Sequence, residues 1–176
     1  MFTLARTLKA IDDALNVKPD AIALTWNTPV QFEPQLVSEL VTSARTLERR
    51  IRELERARDA AAASDQVIDI ANELHKLRHA EALRLYPLIA RGLAHDPVSR
   101  RLFWQSRLVM LGLARRVFRR FDELVRALRA GSGTALALEH VARAFAEYRL
   151  RNENEIYPLY ELARRQVPAR SGTSAA

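Results

Sequence analysis

The chain has 176 residues, 48% of them hydrophobic, which is enough for one domain with a real core and too few for two of ordinary size. Cysteine is absent, which excludes disulfides, thiolate metal sites and cysteine nucleophiles together. The formal charge of +7 permits attraction to acidic partners without specifying a task, and the basic residues are almost all arginine, lysine occurring only at 9, 18 and 76.

No apolar run approaches the roughly 18–20 residues that a membrane span needs. The opening stretch MFTLARTLKAIDDALN breaks its apolar positions with Arg6, Lys9, Asp12 and Asp13, so neither a signal peptide nor an anchor is expected and the default location is the cytoplasm. Five glycines and seven prolines punctuate long runs with apolar residues at helical spacing, the mark of an all-α chain.

In chain order, residues 3–15 form a short amphipathic helix on Leu4, Leu8, Ile11 and Leu15, and residues 16–33 form an arm that Trp26 and Phe32 pin to the body. Four long helices follow. The first opens near Pro34 and runs to about 62, and the second starts after Ser64 and reaches about 93. Asp96 and Pro97 cap and start the third, which stops at Gly131. The fourth runs from near Thr134 to about 166, leaving 167–176 as a disordered tail. The expected organisation is thus 1–33 helix and arm, 34–166 bundle, 167–176 tail.

The chain repeats itself. ARTLERRIRELERA at 44–57 matches ARRVFRRFDELVRA at 114–127 in eight of fourteen positions, and EALRLYPLIA at 81–90 is echoed by NENEIYPLYE at 152–161. Helices one and three therefore correspond, as do two and four. A duplicated helical hairpin closing as an up-down-up-down four-helix bundle is the expected architecture. Pro87 and Pro158 lie inside the even helices, where each removes an amide donor and crowds the carbonyl of Leu83 or Asn154, so a kink is expected at both.

Tyr-Pro at 86–87 and 157–158, each late in an even helix of a duplicated bundle, resembles the hemerythrin-like family, the HHE cation-binding domains. The resemblance covers roughly 34–166 and implies two irons in the bundle interior. In that pattern each hairpin carries one His on its first helix, then on its second a His and, four residues later, an acid before an aromatic-Pro pair. Side chains four apart share a helix face, which explains the spacing. Carried onto this sequence, the pattern places the acids at Glu81 and Asn152 and the histidines at Leu77, Tyr148, Ala44 and Ala114. Only Glu81 survives as a ligand type. The resemblance therefore implies a degenerate site in which two alanines opposite Leu77 and Tyr148 fill space once held by imidazole and metal, with the Tyr148 hydroxyl a partner for the inward polar groups. No cofactor is expected on that reading; the alternative is non-heme iron.

Several other groups need placing. His75 and His79, four apart, are an alternative metal pair, but they stand two residues out of register with Leu77 and are expected to turn outward. Glu153 and Glu155 are either a solvated face paired with Arg149 and Arg151 or a cation site near the bundle end. Arg115, Arg116, Arg119 and Arg120 interleave with Val117, Phe118 and Phe121, giving a solvated basic face that also suits an acidic protein partner. There is no glycine-rich phosphate loop, no nucleophile elbow, no His-Glu metalloprotease motif and no nucleic-acid module. The sequence thus favours a non-enzymatic binding or regulatory module for a protein partner or small ligand, monomeric or homodimeric. Iron, oxygen or nitric oxide handling is the second reading, and a basic nucleic-acid adaptor the third.

Overall fold

The computed structural model describes residues 31–54 and 60–167, and every regular element among them is helical. The expected N-terminal helix, Trp26 and the C-terminal tail from 168 onward lie outside the described residues.

Helix α1 (Leu36–Leu54) buries one heptad-like stripe, Leu36, Leu40, Ala44, Leu47, Ile51 and Leu54. Helix α2 (Ala60–Ala80) is already helical at Ala60, the first described residue after 59, ahead of the start that its Ser64 cap signal implies. Alanine is the strongest helix former, so the run of four alanines before Ser64 belongs to the second rod rather than to the end of the first. Helix α4 (Pro97–Ala130) starts as its sequence predicts. The Asp96 carboxylate accepts from the amides of Val98 and Ser99, and bonds from Ser99 and Gln166 hold its carboxyl down at about 2. It ends at Gly131, whose φ of 64° is the left-handed cap that glycine adopts without a Cβ penalty. Helix α5 (Thr134–Arg151) leads into the last rod.

The two prolines are accommodated differently from a simple kink. A π-helical turn at Glu81–Leu85 precedes helix α3 (Tyr86–Gly92), and another at Asn152–Ile156 precedes helix α6 (Tyr157–Gln166). The Tyr86 amide donates to the Glu81 carbonyl and the Tyr157 amide to the Asn152 carbonyl, five residues back rather than four. One inserted residue lets each proline fall in the first turn of a new helical segment, where its missing donor is not needed. The wide turn also places residues five apart on one face, so Glu81 and Tyr86 are both buried.

Packing closes a ring: α1 lies against α2 and α5, α4 against α2 and α5, and α3 against α6. One apolar cluster runs through all of them, with Phe103, Phe121, Phe145, Tyr148 and Tyr160 as the largest of its fully enclosed side chains. Burial of each such side chain stabilises by roughly 1.5–3 kcal/mol. The arm is tied down at its end: the Phe32 ring meets Tyr160 edge-on at 5.2 Å, the Tyr160 hydroxyl donates to the Glu33 carbonyl at 2.7 Å, and the Glu33 carboxylate pairs with Arg84.

Two glycines give a test of this packing. A Cβ on Gly92 would stand 2.7 Å from the Ala163 Cβ and 2.8 Å from the Ala163 carbonyl oxygen, whereas one on Gly112 would meet nothing within 4 Å. Gly92→Ala is expected to cost about 1–3 kcal/mol in urea unfolding, through overpacking. Gly112→Ala, mid-helix and open, is expected to stabilise by about 0.5–1 kcal/mol in the same measurement.

Candidate functional site

The functional candidate is a polar cluster enclosed by the core where α2, α5 and the two π turns meet. Arg78 is on α2, Glu81 opens the first π turn, Tyr86 follows it, Tyr148 is near the end of α5 and Asn152 opens the second π turn. Their exposures are 3%, 0%, 3%, 1% and 2%. These are the only three buried polar or charged residues, Arg78, Glu81 and Asn152, among the described residues, plus two tyrosines.

The bonding is dense. Arg78 Nη1 donates to Glu81 Oε2, to the Tyr86 hydroxyl oxygen at 3.0 Å and to the Tyr148 hydroxyl oxygen at 2.8 Å. The Tyr148 hydroxyl in turn donates to Glu81 Oε2, and Asn152 Nδ2 donates to Glu81 Oε1 at 3.0 Å. The guanidinium carbon lies 5.8 Å from the centre of the Tyr86 ring and 5.5 Å from that of Tyr148, close enough for cation–π attraction. Two polar atoms are left over: Arg78 Nε and Asn152 Oδ1 are buried without a partner.

Burial pushes the Glu81 carboxyl above the usual range, while the Arg78 charge and the donors on Arg78, Tyr148 and Asn152 pull it back. All three neighbours donate, so the geometry satisfies the ionised form. Burial pulls the Arg78 guanidinium down, but the oxygens of Tyr148, Tyr86 and Glu81 outweigh it and hold the group well above its ordinary value. Burial likewise raises the Tyr86 and Tyr148 phenols, which stay protonated.

All six positions carried over from the resemblance, Ala44, Leu77, Glu81, Ala114, Tyr148 and Asn152, are buried, none above 4% exposed. Three of them, Glu81, Tyr148 and Asn152, converge in the cluster. The donor set does not fit a di-iron centre: alanine and leucine offer no ligand atom, and the lone carboxylate already faces a guanidinium. Among the described residues no group of three or more His, Asp or Glu side chains is placed to hold a metal ion.

Sequence reasoning misses Arg78, the centre of the cluster, because between Lys76 and His79 it reads as one more solvated charge. A signal was present. Leu74, Arg78, Glu81 and Leu85 form an i, i+4, i+7, i+11 stripe on the buried face, and a charge flanked by leucines on such a stripe needs an internal partner.

The remaining candidates stay apart from this cluster. His75 is half-buried and His79 exposed, their ring centres 6.3 Å apart; burial, then the neighbouring His79, lowers the His75 imidazole. Glu153 pairs with Arg149 at 2.8 Å and Glu155 with Arg151 at 2.7 Å. On the basic face Arg116 pairs with Glu147 at 2.7 Å and Arg120 with Glu123 at 2.5 Å, so much of its charge is neutralised within the bundle; Arg115 is also engaged and Arg119 is exposed. An open groove of about 400 Å³ lies between α1 and α2, floored by Leu40, Leu47 and Leu77 and edged by Glu39, Glu73, Lys76 and Arg84. No helix among the described residues is long and apolar enough to cross a membrane. Comparison with protein-family models, curated proteins and solved structures returned no match for this chain.

The ion pair generates a prediction. Arg78→Met alone leaves a buried carboxylate without its counter-charge and is expected to cost about 3–5 kcal/mol in urea unfolding. Adding Glu81→Leu removes that stranded charge, so the double variant is expected to be more stable than Arg78→Met alone, the two changes being strongly non-additive.

Proposed function

We propose that the protein is a divergent hemerythrin-like up-down-up-down bundle whose di-iron site has been replaced by an internal ion pair. On this reading it works as a non-catalytic binding or regulatory module in the cytoplasm and needs no cofactor. The observation that carries the reading is the content of the six interior positions: all are buried, only Glu81 is a ligand type, and Glu81 is bonded to Arg78. A guanidinium beside the surviving carboxylate supplies the positive charge that a metal would supply, but it offers no open coordination position and no redox chemistry.

What such a bundle retains is surface. The groove between α1 and α2 has an apolar floor and an edge of mixed charge, Glu39 and Glu73 beside Lys76 and Arg84, which suits a small amphiphilic ligand or an apolar side chain of a protein partner. The partly neutralised arginine face is a weaker candidate for an acidic partner, and nothing in its spacing favours nucleic acid.

The reading is tested by anaerobic iron reconstitution of the full chain, followed by exposure to air, metal analysis and an absorption spectrum. The expected outcome is a colourless, fully helical protein with far less than one iron per chain and a melting temperature unmoved by chelator. About two irons per chain with oxo-bridged charge-transfer bands would return oxygen chemistry to first place.

A further inference from the structure

We infer that the bundle encloses a cation site whose occupant is the chain's own Arg78, and that this site accepts a free planar cation of the guanidinium class when that side chain is withdrawn.

A receptor for a cation needs acceptors that stay in place without it. Glu81 is held by two bonds that do not involve Arg78: the Tyr148 hydroxyl donates to Oε2 and Asn152 Nδ2 to Oε1. Both partners come from the other hairpin, Asn152 lying 71 residues from Glu81, so the carboxylate is held from across the bundle. Three acceptors, Glu81 Oε2 and the hydroxyl oxygens of Tyr86 and Tyr148, converge on a single guanidinium nitrogen. The two phenol rings flank the guanidinium carbon at 5.8 and 5.5 Å. The cluster also holds an unspent acceptor: Asn152 Oδ1 is buried with no donor, while Arg78 Nε is buried with no acceptor. The tether of Arg78 leaves both unmatched. A free ion has N–H groups on all sides and no tether, so it can turn toward the spare oxygen.

The class of ligand follows from the lining. One carboxylate, two protonated phenols and a carboxamide amount to one negative charge with ring faces beside it. A divalent ion is poorly served by so few anionic oxygens. A planar, weakly hydrated cation that donates in its own plane and stacks on aromatic faces is well served. With Arg78 truncated, the dry carboxylate must recruit such a cation or take up a proton.

The test uses full-length Arg78→Ala in thermal unfolding at neutral pH. It is titrated with guanidinium chloride at low, non-denaturing concentrations, with urea as the neutral isostere and sodium chloride as the ionic-strength control. The expected result is a saturable rise in melting temperature with guanidinium alone, about 3–6 °C at ten times the dissociation constant. The wild type should show no such rise, and Arg78→Ala/Glu81→Gln should lose it. A flat or falling response in guanidinium, matching urea, overturns the inference. If Arg78→Ala does not fold unaided, refolding yield becomes the readout. Recovery in guanidinium but not in urea or salt supports the site, and failure in all three overturns it. A metal-free wild type with no rescue of the variant would remove this site while leaving the proposed function standing.

Discussion

The Arg78–Glu81 pair constrains the rest of the interior, because two charges withdrawn from water are tolerated only if their remaining bonding capacity is met inside the protein. Glu81 has no exposed surface and Arg78 is 3% exposed, so their partners have to come from the bundle itself. Tyr86, Tyr148 and Asn152 supply them, and each is placed by a different element. Sequence distance makes the point: Arg78 reaches Tyr148 across 70 residues and Asn152 reaches Glu81 across 71. The cluster therefore joins the two hairpins by directional bonds where the surrounding core offers only non-directional apolar contact. A pair that is neutral or slightly unfavourable in free energy can still fix which helix faces meet, since any other register strands a charge.

The π turns make this arrangement possible. In an uninterrupted α-helix, residues five apart point to different sides; the wide turn brings Glu81 and Tyr86 onto the same buried face. The same insertion lets Pro87 follow without loss of a needed hydrogen bond, so the proline and the buried carboxylate are two expressions of one backbone feature. The second hairpin repeats the turn with Asn152 and Tyr157, and there an amide stands at the position equivalent to Glu81 and donates to it. The repeated element thus holds one anion, one carboxamide and one guanidinium, and its formal charge sums to zero.

Much of this was legible beforehand. The four rods, the Asp96 cap, the Gly131 stop and the inward direction of Ala44, Leu77, Glu81, Ala114, Tyr148 and Asn152 all follow from periodicity and the internal repeat, which are properties of the local chain. What escaped was long-range or fine-grained. Pro87 and Pro158 signal a break but do not say whether the helix bends or widens, since both relieve the same clash. The helicity of the four alanines before Ser64 escaped because they carry helix propensity without an apolar stripe to announce it. Arg78 was hidden because a buried arginine differs from a surface one only through partners on other helices, and those partners are set by the fold. Its place on the Leu74–Leu85 stripe was the one local clue.

The account's central claim is that one guanidinium is held dry in the middle of the bundle, and arginine side-chain nitrogen NMR on the full chain tests it most directly. At neutral pH, exposed guanidinium groups exchange their protons quickly and rotate freely about the Cζ–Nη bonds. The account predicts one arginine with resolved, slowly exchanging Nη protons and hindered rotation, whose signals vanish in Arg78→Lys. A spectrum in which every guanidinium exchanges as it does in water would contradict it.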